Sequence, residues 1–139
     1  MPKQTSLFLH AGHNVSAVTL TSTDTTTKKD LFTAGANDAD LKSIVCSTTD
    51  TAAVNLGVWY YDGSTAYLLG YVNVPLSSGN TGSIASVNIL SSTYLPGLPL
   101  DAAGKNYLPV KAGHKIQVSC LATMTASKTT YVTAFGHDY

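Results

Sequence analysis

Apolar side chains in this chain recur every second residue, and no stretch sustains the three-to-four spacing of an amphipathic helix. The clearest unit runs from Val54 to Pro75. Val54, Leu56, Val58 and Tyr60 alternate with Asn55, Gly57, Trp59 and Tyr61, and the Asp62-Gly63 step then supplies the positive φ that a tight hairpin turn requires. The return strand, Thr65 to Val74, stops at Pro75, which has no N–H to give a central ladder. Successive side chains on a strand point to opposite faces, so this pattern calls for one face in a core and one nearer water.

Other strands fall at similar intervals. Val15 to Thr23 places Val18 and Leu20 on one face. Leu41 to Ser47 turns either Leu41 and Val45, or Ile44 and Cys46, inward. Ile84 to Leu90 follows, then a short edge strand at Tyr107, Leu108, Pro109 and Val110. His114 to Thr123 sets Ile116, Val118 and Cys120 against Lys115, Gln117 and Ser119, and Thr129 to His137 closes the series. Polar turns are expected at Thr25 to Asp30, Ala34 to Asp38 and Ser77 to Gly82. The stretch from Ser91 to Gly113 breaks the rhythm with a proline-rich loop that must bury its leucines somewhere. Seven or eight short strands of this kind predict an all-β fold, a two-sheet antiparallel β-sandwich wound as a jelly-roll-like Greek key of about eight strands. Residues 15–139 are expected to form a single β-sandwich domain and residues 1–14 an N-terminal arm, within a length that is one domain by the usual prior.

Composition narrows function more than fold. The 139 residues contain eight Lys, eight Asp and neither Arg nor Glu. The bidentate guanidinium fork that grips phosphates and base edges is therefore missing. Zero net charge also leaves no basic stripe for nucleic acid, so none is expected as a partner. Ser and Thr make up roughly a quarter of the chain, far above ordinary usage. Thr suits a pleated surface while keeping a hydroxyl in water. Near-neutral charge gives little colloidal repulsion, which favours association. Leu7, Phe8 and Leu9 are too short a run for a signal sequence or membrane span, so no membrane partner is expected and synthesis in a cytoplasm is. Cys46 and Cys120 sit in alternating apolar segments and read as small buried hydrophobes with reduced thiols.

Reactive constellations are sparse. His10 and His13 have H-x-x-H spacing, with His114 and His137 elsewhere, but Gly12 lies between the first two and no Cys/His framework surrounds them. All four read as exposed polar residues, and no metal is expected. No G-x-S-x-G elbow accompanies the many Ser, His and Asp residues. Asp38, Asp40, Asp50, Asp62 and Asp101 lie in turn-like contexts that Asx turns explain. Gly79-Asn80-Thr81-Gly82 has neither a following Lys nor a helix to open, so it is no phosphate cradle. The chain is not expected to be an enzyme or to hold a cofactor. Trp59, Tyr60 and Tyr61, with Tyr67 and Tyr71 across the hairpin, form the densest aromatic cluster. Its exposed members are read as cross-strand pairs that stabilise the ribbon, or as a stacking platform for a sugar or another protein.

Several phrases resemble those of small virion proteins of tailed bacteriophages, the head decoration or cement class. They are the threonine-rich first strand leading to Asp30-Leu31-Phe32-Thr33-Ala34-Gly35-Ala36-Asn37, the run Ser47 to Leu56, the Asp62-Gly63 hairpin ending in Val74-Pro75, Pro99-Leu100-Asp101, and Leu108 to Gly113. The likeness spans about Thr19 to Asp138. It implies a jelly-roll or related sandwich that clamps the major capsid protein on the outside of a virion shell, as a small homo-oligomer, dimer or trimer, with no catalytic residues. Candidate contact residues are Leu7, Phe8 and Leu9 in the arm, Tyr94, Leu95 and Leu98 in the loop, and Trp59 and Tyr61 on the hairpin. Arm and loop have a second reading, in which they fold back over an open end of the sandwich. The alternative functions are a carbohydrate-binding β-sandwich module, motivated by the aromatics, and another head or tail structural subunit.

Overall fold

The computed structural model describes residues 12–139. Their strands are β1 (Gly12–Thr21), β2 (Lys29–Thr33), β3 (Ala39–Thr48), β4 (Val54–Tyr61), β5 (Ala66–Val74), β6 (Val87–Asn88), β7 (Leu108–Val110), β8 (Lys115–Cys120) and β9 (Thr129–Asp138). A single 3-10 turn, Ser22–Asp24, is the one helical element among the described residues. Pairing is antiparallel throughout and runs from the outside in: β1 with β9, β2 with β8, β3 with β6 and β7, β4 with β5. A chain doubled back as one long hairpin has this order. Rolling the hairpin up lays β9 beside β3 and β8 beside β4.

Two sheets result, β1-β9-β3-β6 with β7 also on β3, and β2-β8-β4-β5. This is the jelly-roll arrangement of a two-sheet antiparallel sandwich, as the alternation predicted. Leu20, Phe32, Leu41, Ile44, Leu56, Val58, Val72, Ile116, Val118 and Val132 are fully buried between the sheets. Each such side chain contributes about 1.5–3 kcal/mol through its removal from water.

The expected hairpin forms, with Val54, Leu56 and Val58 buried and Tyr60 packed on the core. Its turn is centred one residue later than expected. Asp62 donates its N–H to Thr65 O at 3.2 Å, so the two connecting residues are Gly63 and Ser64, and Gly63 takes φ 98°. The Asp62 carboxylate accepts the N–H groups of Ser64 and Thr65 at 3.0 and 2.8 Å.

Four boundaries differ from the sequence reading, each for a physical reason. β2 falls partly in the expected turn Thr25 to Asp30 and breaks alternation, because a register shift between Asp30 and Phe32 buries both Leu31 and Phe32. A shift between Leu41 and Ser43 in β3 likewise turns Leu41, then Ile44 and Cys46, inward, so the Ile44 and Cys46 set is realised in full, and of the other set Leu41 is buried while Val45 lies on the outer face. The expected strand Ile84 to Leu90 shrinks to β6, where Asn88 Oδ1 accepts the N–H of Ile44 at 3.2 Å and of Leu90 at 3.1 Å. A side chain has replaced the ladder carbonyl there. β1 begins at Gly12, inside the segment expected as an arm, and turns at Asp24, whose carboxylate accepts the Thr21 N–H at 2.8 Å. The rest of the expected arm, including Leu7, Phe8, Leu9 and His10, lies outside the described residues.

Candidate docking faces

Trp59 and Tyr61 point to the outside of the four-stranded sheet, as alternation predicts, but they are half-buried and already partnered. Trp59 Nε1 donates to Ser119 Oγ at 2.9 Å, and the Lys28 ammonium lies 4.3 Å above its ring. The rings of Tyr71 and Trp59 close over Gly57, where an added Cβ would stand 2.8 Å from Tyr71 Cε1 and 3.0 Å from Trp59 Nε1. Tyr61 donates its hydroxyl to Gly63 O at 3.0 Å. Beside them Asp30 accepts from Lys115 Nζ at 2.9 Å and Gln117 Nε2 at 2.8 Å, and these bonds hold its carboxyl below the ordinary value. Around Trp59 this face is charged and satisfied by its own groups, while Leu68 and Tyr71 of β5, 45% and 40% exposed, stand at its margin.

The outer face of the five-stranded sheet is different. At the free edge of β1, Thr21 N–H reaches Asp24 and Thr19 O accepts Lys29 Nζ at 2.8 Å, so odd-numbered residues aim their main-chain groups away from β9. Their pairs with β9 are therefore the closer, non-hydrogen-bonded kind. Three rows cross β1, β9 and β3 in this way: Val15, Phe135 and Ser43; Ala17, Thr133 and Val45; Thr19, Tyr131 and Ser47. Val15 is 57%, Tyr131 47% and Phe135 42% exposed, and no ion stands among them. Charge enters at the margin through Asp40, which accepts the Tyr139 hydroxyl, and Lys42, which leans over Tyr107 and towards Asp101. None of these exposed apolar residues was among the expected contact residues. The signal was present in β9, where bulky Tyr131 and Phe135 alternate with Val132, Ala134 and Gly136.

The loop after β6 covers an open side of the sandwich. Leu95 is buried at 4% exposure, with one methyl 3.1 Å from the position of a Cβ on Gly70, and Tyr94 and Leu98 pack partly against the core. Leu69, Leu95, Pro96, Gly97 and Leu98 line a shallow apolar groove of about 280 Å³.

A polar cleft of about 360 Å³ lies where Asp38, Asp40, Tyr60, Lys111 and Tyr139 converge. Its groups are tied to one another. Asp38 Oδ1 accepts the Ala112 N–H at 2.8 Å, and Tyr60 Oη lies 2.8 Å from His114 Nδ1 and accepts the Lys111 N–H at 3.1 Å. The hydrogen bond to Asp40, with burial, pushes the Tyr139 phenol up to about 12, so it stays a proton donor. Asp40 is a strand residue and Asp38 bridges to a distant loop, which corrects their assignment to Asx turns; Asp50, Asp62 and Asp101 do make such local bonds.

Among the described residues, no three His, Cys, Asp or Glu side chains come together around a metal-sized space. His13 and His137 face each other across β1 and β9 with ring centroids 5.0 Å apart. Cys46 and Cys120 are unpaired and buried, and burial pushes the Cys46 thiol up to about 12.

No family model matches this chain, and no curated protein does. Among solved structures it is similar to a chain of the cyanophage Pam1 capsid asymmetric unit, at 13% identity and a TM-score of 0.50, over 91% of this chain and 83% of that one. At that identity the likeness is one of fold, and it agrees with the sandwich described above.

Proposed function

We propose that this chain is a structural subunit of a phage virion, a decoration or cement protein that binds the major capsid protein on the outside of the shell and associates with itself as a dimer or trimer. The observation that carries this reading is the unpartnered face bearing Val15, Tyr131 and Phe135 among hydroxyls. Burying an unpaired ion costs several kcal/mol, whereas hydroxyls and apolar groups can be covered without that penalty. Such a face suits a large repeated partner surface, and aromatic residues at its centre match the usual make-up of interface anchors. Two further facts support the reading: the fold is similar to a chain of a cyanophage capsid unit, and the turn phrases resemble those of decoration proteins.

Co-sedimentation of the purified chain with purified shells of its phage tests this. Saturable binding that falls at least about tenfold in Phe135→Asp is expected, since one buried charge is worth several kcal/mol. Absence of binding, or binding that Phe135→Asp leaves unchanged, overturns the proposal. The carbohydrate-binding alternative would place a sugar on Trp59. That ring face already carries the Lys28 ammonium, so Trp59 favours the docking reading.

A further inference from the structure

We infer that His13 and His137 form an open two-imidazole site for a late first-row divalent cation such as Ni²⁺, Cu²⁺ or Zn²⁺. The argument is geometric. A cation bound at about 2.0 Å to a ring nitrogen stands about 3.2 Å from that ring's centre, so two rings sharing it at tetrahedral or square-planar angles lie about 4.5–5.2 Å apart. The observed separation is 5.0 Å. The rings belong to directly opposed residues of a non-hydrogen-bonded pair, the register that brings side chains closest. They are tilted by 44°, and rotation about χ2, a broad torsion for His, is the movement needed to aim one nitrogen of each at a common point.

His13 is exposed and His137 half-exposed, so the remaining coordination positions open to water or to a partner lying on this face. Asp40, next in the same row on β3, is engaged by Tyr139, and His114 has Nδ1 committed to Tyr60. The pair depends on the closure of β1 against β9, which joins residues far apart in sequence.

Calorimetric titration of Ni²⁺ and of Zn²⁺ into the full chain at pH 8 tests the site. One saturable site per chain is expected. His13→Asn and His137→Asn should each weaken it about tenfold or more, and His10→Asn should change it less than about twofold. Metal should also raise the melting temperature of the wild-type chain but not of the folded His137→Asn variant, because only the former has β1 tied to β9 by the ion. Absence of saturable binding overturns the inference. So does binding that survives both strand substitutions, or that His10→Asn abolishes.

Discussion

Asp50 is buried between two loops and serves as a polar clamp. Its carboxylate accepts Ala52 N–H at 2.9 Å, Thr125 N–H at 3.1 Å and Thr125 Oγ1 at 2.8 Å, joining the β3–β4 and β8–β9 connections. Burial alone would raise its pKa, but these bonds and the charge of Lys128 outweigh it and hold the carboxyl below its usual value. Asp24, Asp30, Asp62 and Asp101 are lowered as well, chiefly by hydrogen bonds. A lowered native pKa means the unfolded chain binds the proton more readily. The stability from these groups is therefore present above about pH 4 and is lost as pH falls through the native values. Urea midpoints against pH should show a plateau at neutral pH and a decline below about pH 4. Asp50→Ala should lower stability by about 1–3 kcal/mol at pH 7, as buried donors lose their acceptor, and should make the acid decline shallower. A second residue-scale prediction concerns Gly136, where a Cβ would lie 2.6 Å from Asp40 O. That neighbour is backbone and cannot swing aside. Gly136→Ala should cost about 1–3 kcal/mol with an unchanged denaturant slope. The turn role of Asp50 was readable from sequence, whereas the need for Gly136 was not, because it depends on the β3 backbone across the ladder.

The strictly alternating strands β4 and β8 were legible in the sequence, and β5 was legible in its bounds although it bulges at Leu69 against β4, whereas β2 and β3 fell out of step at their bulges. Leu31-Phe32 and the Leu41 to Ser43 shift each put the hydrophobic pattern out of step, and a period-two reading fails at such steps. Another feature invisible in sequence is how the two sheet edges, β1 and β2, are tied without a shared ladder. Ser16 Oγ donates to Leu31 O, and Asn14 Nδ2 donates to Thr33 O at 3.1 Å and to the Asp138 carboxylate at 3.0 and 3.2 Å. Side chains of one edge thus bond the backbone of the other, which blunts both against strand addition. Asn14→Ala should cost about 1–2 kcal/mol. Its signature is local: amide exchange should quicken in β1 and the neighbouring part of β2, with β4 and β5 unchanged.

At the scale of the whole molecule, the inward order of pairing makes the first and last strands neighbours and gives them a common outer face. Sequence reasoning identified the sandwich and its winding, yet it sought contact residues in the arm, the proline-rich loop and the hairpin. The loop residue Leu95 is core, and the hairpin ring of Trp59 is partnered by Lys28 and Ser119. Val15 and Phe135 become a single patch only when β1 meets β9 across almost the full chain, a juxtaposition that no local pattern encodes. The docking proposal rests on that patch. Its most direct measurement is a cryo-electron reconstruction of shells decorated with the purified chain. The account predicts density in which the outer face of β1, β9 and β3 lies against the shell, with Val15, Tyr131 and Phe135 at the contact. Density with that face turned to solvent and the four-stranded sheet against the shell would contradict it.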